Sequence, residues 1–214
     1  MGVIKQNMKK NFDILLIGGA SGVGKSCVSY KLSEIYQMNV VQVDDFQCIV
    51  EHYTKEEDYP VFHYWNNHFE EAINQSIEKK LEIMINYSNE LSKALELVVN
   101  NHLEENRPMI LEGDFISPAL CKKLLQENVN NKRVKCIYII EDDETQILQN
   151  YYEREGRMQN DRAELSWRYN NWIKEQIEGT EIIAIQSRPW ESAIERICYH
   201  LNLGHGVRLS KQLE

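Results

Sequence analysis

Gly19-Ala20-Ser21-Gly22-Val23-Gly24-Lys25-Ser26 follows closely on the apolar run Ile14 to Ile17 and fits the spacing G-x-x-x-x-G-K-[ST]. The run predicts a buried strand and the segment from about Lys25 predicts a helix, so the stretch reads as a strand, a glycine-rich turn and a helix. Phosphates need several backbone N–H groups turned inward around one concavity, which side chains would obstruct. Gly19, Gly22 and Gly24 leave that space and reach the positive-φ conformations such a turn requires. The helix N-terminus adds its dipole and unpaired amides at the same spot. Lys25 supplies a cation for the β and γ phosphates of ATP, and the Ser26 hydroxyl can ligate Mg²⁺. The expected nucleotide contacts are Gly19, Ala20, Ser21, Gly22, Val23, Gly24, Lys25, Ser26 and Cys27.

Four more short runs rich in Ile, Val or Leu follow: Val40 to Val43, Met109 to Leu111, Val134 to Ile140 and Ile182 to Ile185. None alternates polar with apolar, and long stretches separate them, which predicts an α/β fold with a parallel sheet covered on both faces. The connection from Phe46 to Arg107 is about twice what a simple crossover needs, so an insertion is expected at about 47–106. Within it Trp65, Phe69, Ile73, Ile77, Leu81 and Met84 recur at helical spacing, continued by Leu91, Leu95, Val98 and His102. One helix over that span would be roughly 55 Å long at 1.5 Å per residue. A break around Asn86 to Asn89, giving two helices, is the expectation. After Leu203 the polar residues predict a frayed tail.

The 214 residues suit a single domain carrying that insertion. No apolar stretch approaches the length of a membrane span. The first residues lack the apolar run of a signal peptide, and Gln6 stands where myristoylation wants Ser or Thr, so a cytoplasmic location is expected. Five widely spaced cysteines form no C-x-x-C pair, which argues against a zinc site or a disulfide framework. Lys and Arg number 24 against 33 Asp and Glu, a formal charge of -9 that would repel a nucleic acid over most of the surface. No coiled-coil heptads appear, and the oligomeric state stays open.

Two strand ends carry acids. Val43-Asp44-Asp45-Phe46 closes the second apolar run and Leu111-Glu112-Gly113-Asp114 the third. Ligands of an open parallel sheet sit beyond the carboxyl ends of its strands, so these acids should face the bound phosphates. Asp44 is the candidate base for an acceptor hydroxyl, with Asp45 the alternative and an N-cap role the competing reading. Glu112 is the candidate for holding Mg²⁺, with Asp114 in reserve.

These pieces resemble the P-loop small-molecule kinases, especially uridine kinases and nicotinamide riboside kinases: the loop Gly19 to Ser26, the Asp-Asp-Phe at 44–46 and the Glu-Gly at 112–113. The resemblance implies a three-layer fold with a five-stranded parallel sheet in the order 2-3-1-4-5. It also implies an acceptor-binding insertion after strand two, a lid at about 144–165, and the first Asp as base. Tyr151 to Arg157 would be part of the lid, where Arg154 and Arg157 could stabilise charge on the transferring phosphoryl group; an ordinary solvated helix end is the competing reading. The loop with Arg188 lies where such kinases hold adenine, against the alternative of a proline-started helix with Trp190 in the core.

The insertion from Phe46 to Asn106 contains no arginine, the residue suited to gripping a phosphate with paired hydrogen bonds. A small-molecule acceptor that offers a hydroxyl and carries no phosphate is expected, since a hydroxyl needs a base and Asp44 is available. Tyr53, Tyr59, Phe62, His63, Tyr64 and Trp65 could stack on such an acceptor or simply pack the insertion. His63 and His68 lack a metal-binding spacing. Three other classes compete: a nucleoside monophosphate or phosphorylated-metabolite kinase of the same fold, a motor-type ATPase, and a nucleotide-binding regulator. A GTPase is disfavoured because Asn130-Asn131-Lys132-Arg133 lacks the acid of a guanine motif.

Overall fold

A computed structural model describes residues 10–130 and 132–202. Its strands, β1 (Ile14–Gly18), β2 (Asn39–Gln42), β3 (Met109–Glu112), β4 (Val134–Ile140) and β5 (Ile183–Gln186), form one sheet in the order β2-β3-β1-β4-β5. Every neighbouring pair is parallel. The α/β class and the strand order are those the sequence and the resemblance led one to expect. Residues of β1, β3 and β4 are buried throughout, whereas the edge strands β2 and β5 are partly exposed. The inner runs are therefore dominated by Ile, Leu and Val, with Lys135 buried in β4, and β2 can carry Asn39 and Gln42 at its ends.

The helices are α1 (Lys25–Tyr36), α2 (Val43–Tyr53), α3 (Pro60–Asn67), α4 (Phe69–Ile73), α5 (Ile77–Glu104), α6 (Pro118–Glu127), α7 (Glu144–Glu155), α8 (Asn160–Ile177) and α9 (Trp190–Asn202). Right-handed crossovers put α1, which leads from β1 toward the β2 edge, on the opposite face from helices that follow moves the other way. Accordingly α1 packs with α9, while α5, α6 and α8 pack with one another.

Three boundaries differ from expectation. The helix break at Asn86 to Asn89 does not occur: α5 runs unbroken for 28 residues, about 42 Å. Its buried residues Ile83, Tyr87, Leu91, Leu95, Val99 and Leu103 recur every fourth position, a single stripe along the side that meets α6 and α8. Asn86 and Asn89 are exposed, and the Ser88 hydroxyl donates to the Ile85 carbonyl within the helix, so nothing polar there is stranded. The interruptions fall earlier, at His68 between α3 and α4 and at Ser76, whose hydroxyl accepts from the Lys79 amide and caps α5. The second strand ends at Gln42, and Val43, Asp44 and Asp45 form the first turn of α2. The last strand is shifted by one residue and ends at Gln186. The tail expected after Leu203 lies outside the described residues.

Of the insertion's aromatic residues, Phe62 and Tyr87 pack the fold, whereas Tyr53, Tyr59 and Phe69 are exposed. Phe62, buried in α3, meets Tyr87 of α5 edge-on at 5.2 Å between centroids, and Tyr87 meets Phe115 after β3 at 4.6 Å. The Tyr87 hydroxyl donates to Glu51 of α2 at 2.9 Å, tying three helices together. His63 lies 3.0 Å from the Thr54 hydroxyl and His68 pairs with Glu56. Among the described residues no group of three His, Cys, Asp or Glu is placed to hold a metal, and no helix is long and apolar enough to cross a membrane. Cys121, Cys136 and Cys198 are buried; Cys27 and Cys48 are exposed.

Candidate active site at the carboxyl edge of the sheet

The turn between β1 and α1 is built as the glycine pattern requires. Gly24 has φ 90° and N-caps α1 with no side-chain hydrogen bond at the cap. A side-chain carbon at Gly24 would also stand 1.9 Å from the Trp190 ring, so the residue must be glycine on two counts. Lys25 is 5% exposed; its Nζ donates to the Ala20 carbonyl at 2.8 Å and pairs with Asp114 Oδ1 at 2.5 Å.

The acids arrive from the end of β3 and from the first turn of α2, which follows β2. Gly113 lets them approach, because a side-chain carbon there would be 2.4 Å from Val43 Cβ, and Val43 precedes Asp44 directly. Glu112, 5% exposed at the end of β3, has both carboxylate oxygens 3.4 Å from the Ser26 hydroxyl. Burial raises the Glu112 carboxyl above its ordinary range; Lys25 opposes the rise, and Asp114 and Asp44 add to it. Asp44 is likewise raised by burial and then by Asp114, with Lys25 pulling the other way. One cation and three carboxyls thus form a single electrostatic unit. Ser26 and Glu112 are hard oxygen donors, a set that fits a magnesium ion taking its remaining ligands from phosphates and water.

These groups border a cavity of about 480 Å³, within the range of small-molecule sites. From the phosphate loop and α1, Ser21, Gly22, Gly24, Lys25, Ser26 and Cys27 line it; Asp44, Glu112 and Arg154 complete the expected set. Ala20 and Val23 are buried in the core instead, and Gly19 is buried at the end of β1. Arg157 lies beyond Gly156, which ends α7 in the left-handed conformation, and is exposed away from the cavity wall. Arg188 is also off the wall, with its guanidinium 5.5 Å from the Trp190 ring centroid and 3.2 Å from Asn150 Oδ1.

Residues 12–165 match the profile of the isopentenyl transferase family, itself a P-loop family. The chain belongs to that family. It is also 30% identical over 148 residues to a 2-phosphoglycerate kinase of Methanopyrus kandleri, an alignment covering 66% of this chain and 43% of that protein. The chain therefore spans less than half the length of that relative. Among solved structures, a gluconokinase from Sinorhizobium meliloti 1021 aligns with a TM-score of 0.50 and 13% identity over 89% of this chain and 91% of the other. A sugar kinase from Janibacter sp. HTCC2649 gives 0.51 and 15%, over 89% and 95%. At such identities the likeness establishes the fold, which this isopentenyl transferase family member shares with P-loop small-molecule kinases.

The cavity of this family member has lining residues that the sequence reading did not single out. Arg162, early in α8, is one; Asn150 on α7 and Gln42 are the others, and Trp190 at the start of α9, named with the Arg188 loop, lines the cavity as well. Glu155 Oε1 accepts from both Arg154 and Arg162 at 2.8 Å, and both guanidiniums lie near the Tyr151 ring, 4.9 and 4.8 Å from its centroid. The hydrogen bond from Arg154 foremost, with the charges of Arg162, Arg154 and Arg157, holds the Glu155 carboxyl below its ordinary range against the opposing effect of burial. Arg162 carried no local signal, since a helical Asp-Arg-Ala reads as any solvated surface. Its role depends on the α7–α8 turn bringing it back beside Arg154.

Proposed function

We infer that the protein is an ATP-dependent kinase that transfers the γ-phosphoryl group to a hydroxyl of a small molecule, with Mg²⁺ as the accompanying ion. The observation that carries this reading is the convergence of Lys25, Asp44, Glu112 and Ser26 on one cavity beside two lid arginines. Asp44 takes the proton of the acceptor hydroxyl as its oxygen attacks the γ-phosphorus. The bond from that phosphorus to the β,γ-bridging oxygen breaks, and ADP leaves with the electron pair. Lys25 leaves Asp114 for the phosphates, and Arg154 and Arg162 take up charge on the transferring group. Magnesium, held by Ser26 and Glu112, would neutralise the β and γ phosphate oxygens.

The expected acceptor is a hydroxyl compound without a phosphate, because the insertion remains free of arginine. Phosphorylated hydroxy acids belong beside it in any screen, given the name of the Methanopyrus kandleri relative and the two lid arginines. A second reading follows from the family match: transfer of an isopentenyl group from its diphosphate to a nucleophile deprotonated by Asp44, the leaving diphosphate resting on the phosphate loop. A five-carbon chain would need an apolar wall next to the phosphates. Apart from Trp190, the side chains lining the cavity are polar or charged or small, which favours phosphoryl transfer.

A thermal-shift screen of sugars, nucleosides, vitamins, hydroxy acids and aminoglycosides with a non-hydrolysable ATP analogue tests the reading. An acceptor should raise the midpoint beyond the analogue alone. No shift with any acceptor, together with ATP hydrolysis that is indifferent to acceptor, would sink the kinase reading.

A further inference from the structure

Asn150, in the second half of α7, is hydrogen-bonded on both ends of its amide. Its Nδ2 donates to the Gly22 carbonyl at 2.8 Å, and its Oδ1 accepts from Gln146 Nε2 at 2.9 Å and Arg188 Nη2 at 3.2 Å. The amide orientation follows from its partners, because the Gly22 carbonyl can only accept and the Arg188 guanidinium can only donate. Arg188 in turn lies over Trp190, and the Trp190 ring lies against Gly24. A closed circuit results, Gly22 to Asn150 to Arg188 to Trp190 to Gly24, joining the phosphate loop to the loop after β5.

The Gly22 carbonyl and the Val23 N–H belong to one planar trans peptide and point in opposite directions. Holding that carbonyl against α7 therefore turns the Val23 N–H the other way, off α7. We propose that Asn150 is a positioning residue for the nucleotide: one side-chain amide sets the Gly22–Val23 peptide of the phosphate loop and, through Arg188, ties that loop to the loop after β5. The proposal rests on the nucleotide-binding reading and adds to it a residue outside the glycine-rich motif.

Affinities of ATP and of inorganic tripolyphosphate for the wild type, Asn150→Ala, Asn150→Asp, Arg188→Ala and Lys25→Ala test it. Asn150→Ala should weaken both ligands by a similar factor, about 3- to 10-fold for one lost hydrogen bond. Asn150→Asp keeps the shape and the acceptor for Arg188 but loses the donor and adds a negative charge, so it should be weaker than Asn150→Ala. Arg188→Ala removes one partner of the Asn150 amide and keeps the bond to Gly22, so it should weaken both ligands less than Asn150→Ala does. A residue that merely supports the fold would shift the unfolding midpoint of the unliganded protein without this order of affinities. Wild-type affinity in both Asn150 variants, with Lys25→Ala impaired, overturns the role of Asn150 alone. A wild type that binds neither ligand overturns the nucleotide reading and this inference together.

Discussion

Lys25 Nζ lies 2.5 Å from Asp114 Oδ1, so the lysine of the phosphate loop is held by a carboxylate from the end of the neighbouring strand β3. A phosphate entering the loop must take the lysine away from that partner. Asp114→Asn removes the competitor. Without added metal it should tighten ATP severalfold, while depriving the buried lysine of its ion-pair partner and lowering the unfolding midpoint by about 2–6 °C. Calorimetric titration and thermal unfolding check both effects. Unchanged ATP affinity would mean that the pair does not compete with nucleotide.

Among the glycines of the site, Gly24 leaves the least room for a side chain, because the Trp190 ring occupies that space. Gly24→Ala places a side chain at φ 90°, which costs about 1–2 kcal/mol by itself, and drives it into the indole. Trp190→Ala in the same chain relieves only the second part. A double-mutant cycle should therefore show a coupling of about 1 kcal/mol or more in unfolding free energy. Strictly additive effects would place the indole elsewhere.

The carboxyls of Asp44 and Glu112 are both raised. The folded chain then holds their protons more tightly than the unfolded chain does, so their contribution to stability falls as pH rises from the ordinary carboxylate range through the raised folded values. Glu112→Gln removes one of the two. The variant should gain on the wild type in unfolding midpoint as pH rises through that window, by about 2–4 °C at neutral pH if the gain is near 1 kcal/mol. A loss of the same size at every pH would contradict the sign.

Arg162 lines the cavity with Arg154, whereas Arg157 does not. Arg162→Ala should slow transfer by about 10- to 1,000-fold, less than the loss of a sole arginine finger, because Arg154 remains. Arg157→Ala should change the rate by no more than about twofold, in line with an ordinary surface substitution. Initial rates at saturating ATP distinguish the two, and the reverse order would restore Arg157 to the lid's working face.

The fold was legible because its decisive signals are local. Ile14 to Ile17 followed by the glycine-rich turn needs no distant partner to be read, and the buried runs of β3 and β4 are unbroken. The course of α5 was not, because Asn86 and Asn89 weaken helix propensity while the stripe from Ile83 to Leu103 that overrides them is fixed by α6 and α8. At the site, the acids that follow β2 and β3 could be placed by topology alone. Arg162 and Asn150 could not, since each reaches the cavity only through packing of α7 and α8 around the loop.

Label followed from the γ position of ATP, with products resolved by mass, separates phosphoryl transfer to an acceptor from hydrolysis. With a pool of hydroxyl acceptors and Mg²⁺, the wild type should yield an acceptor carrying the labelled phosphoryl group. Asp44→Asn should bind ATP as before and lose that product by about 100- to 10,000-fold. Label appearing only as inorganic phosphate at a rate indifferent to acceptor, or equal loss of ATP binding in Asp44→Asn and Lys25→Ala, would contradict a kinase that uses Asp44 as its base.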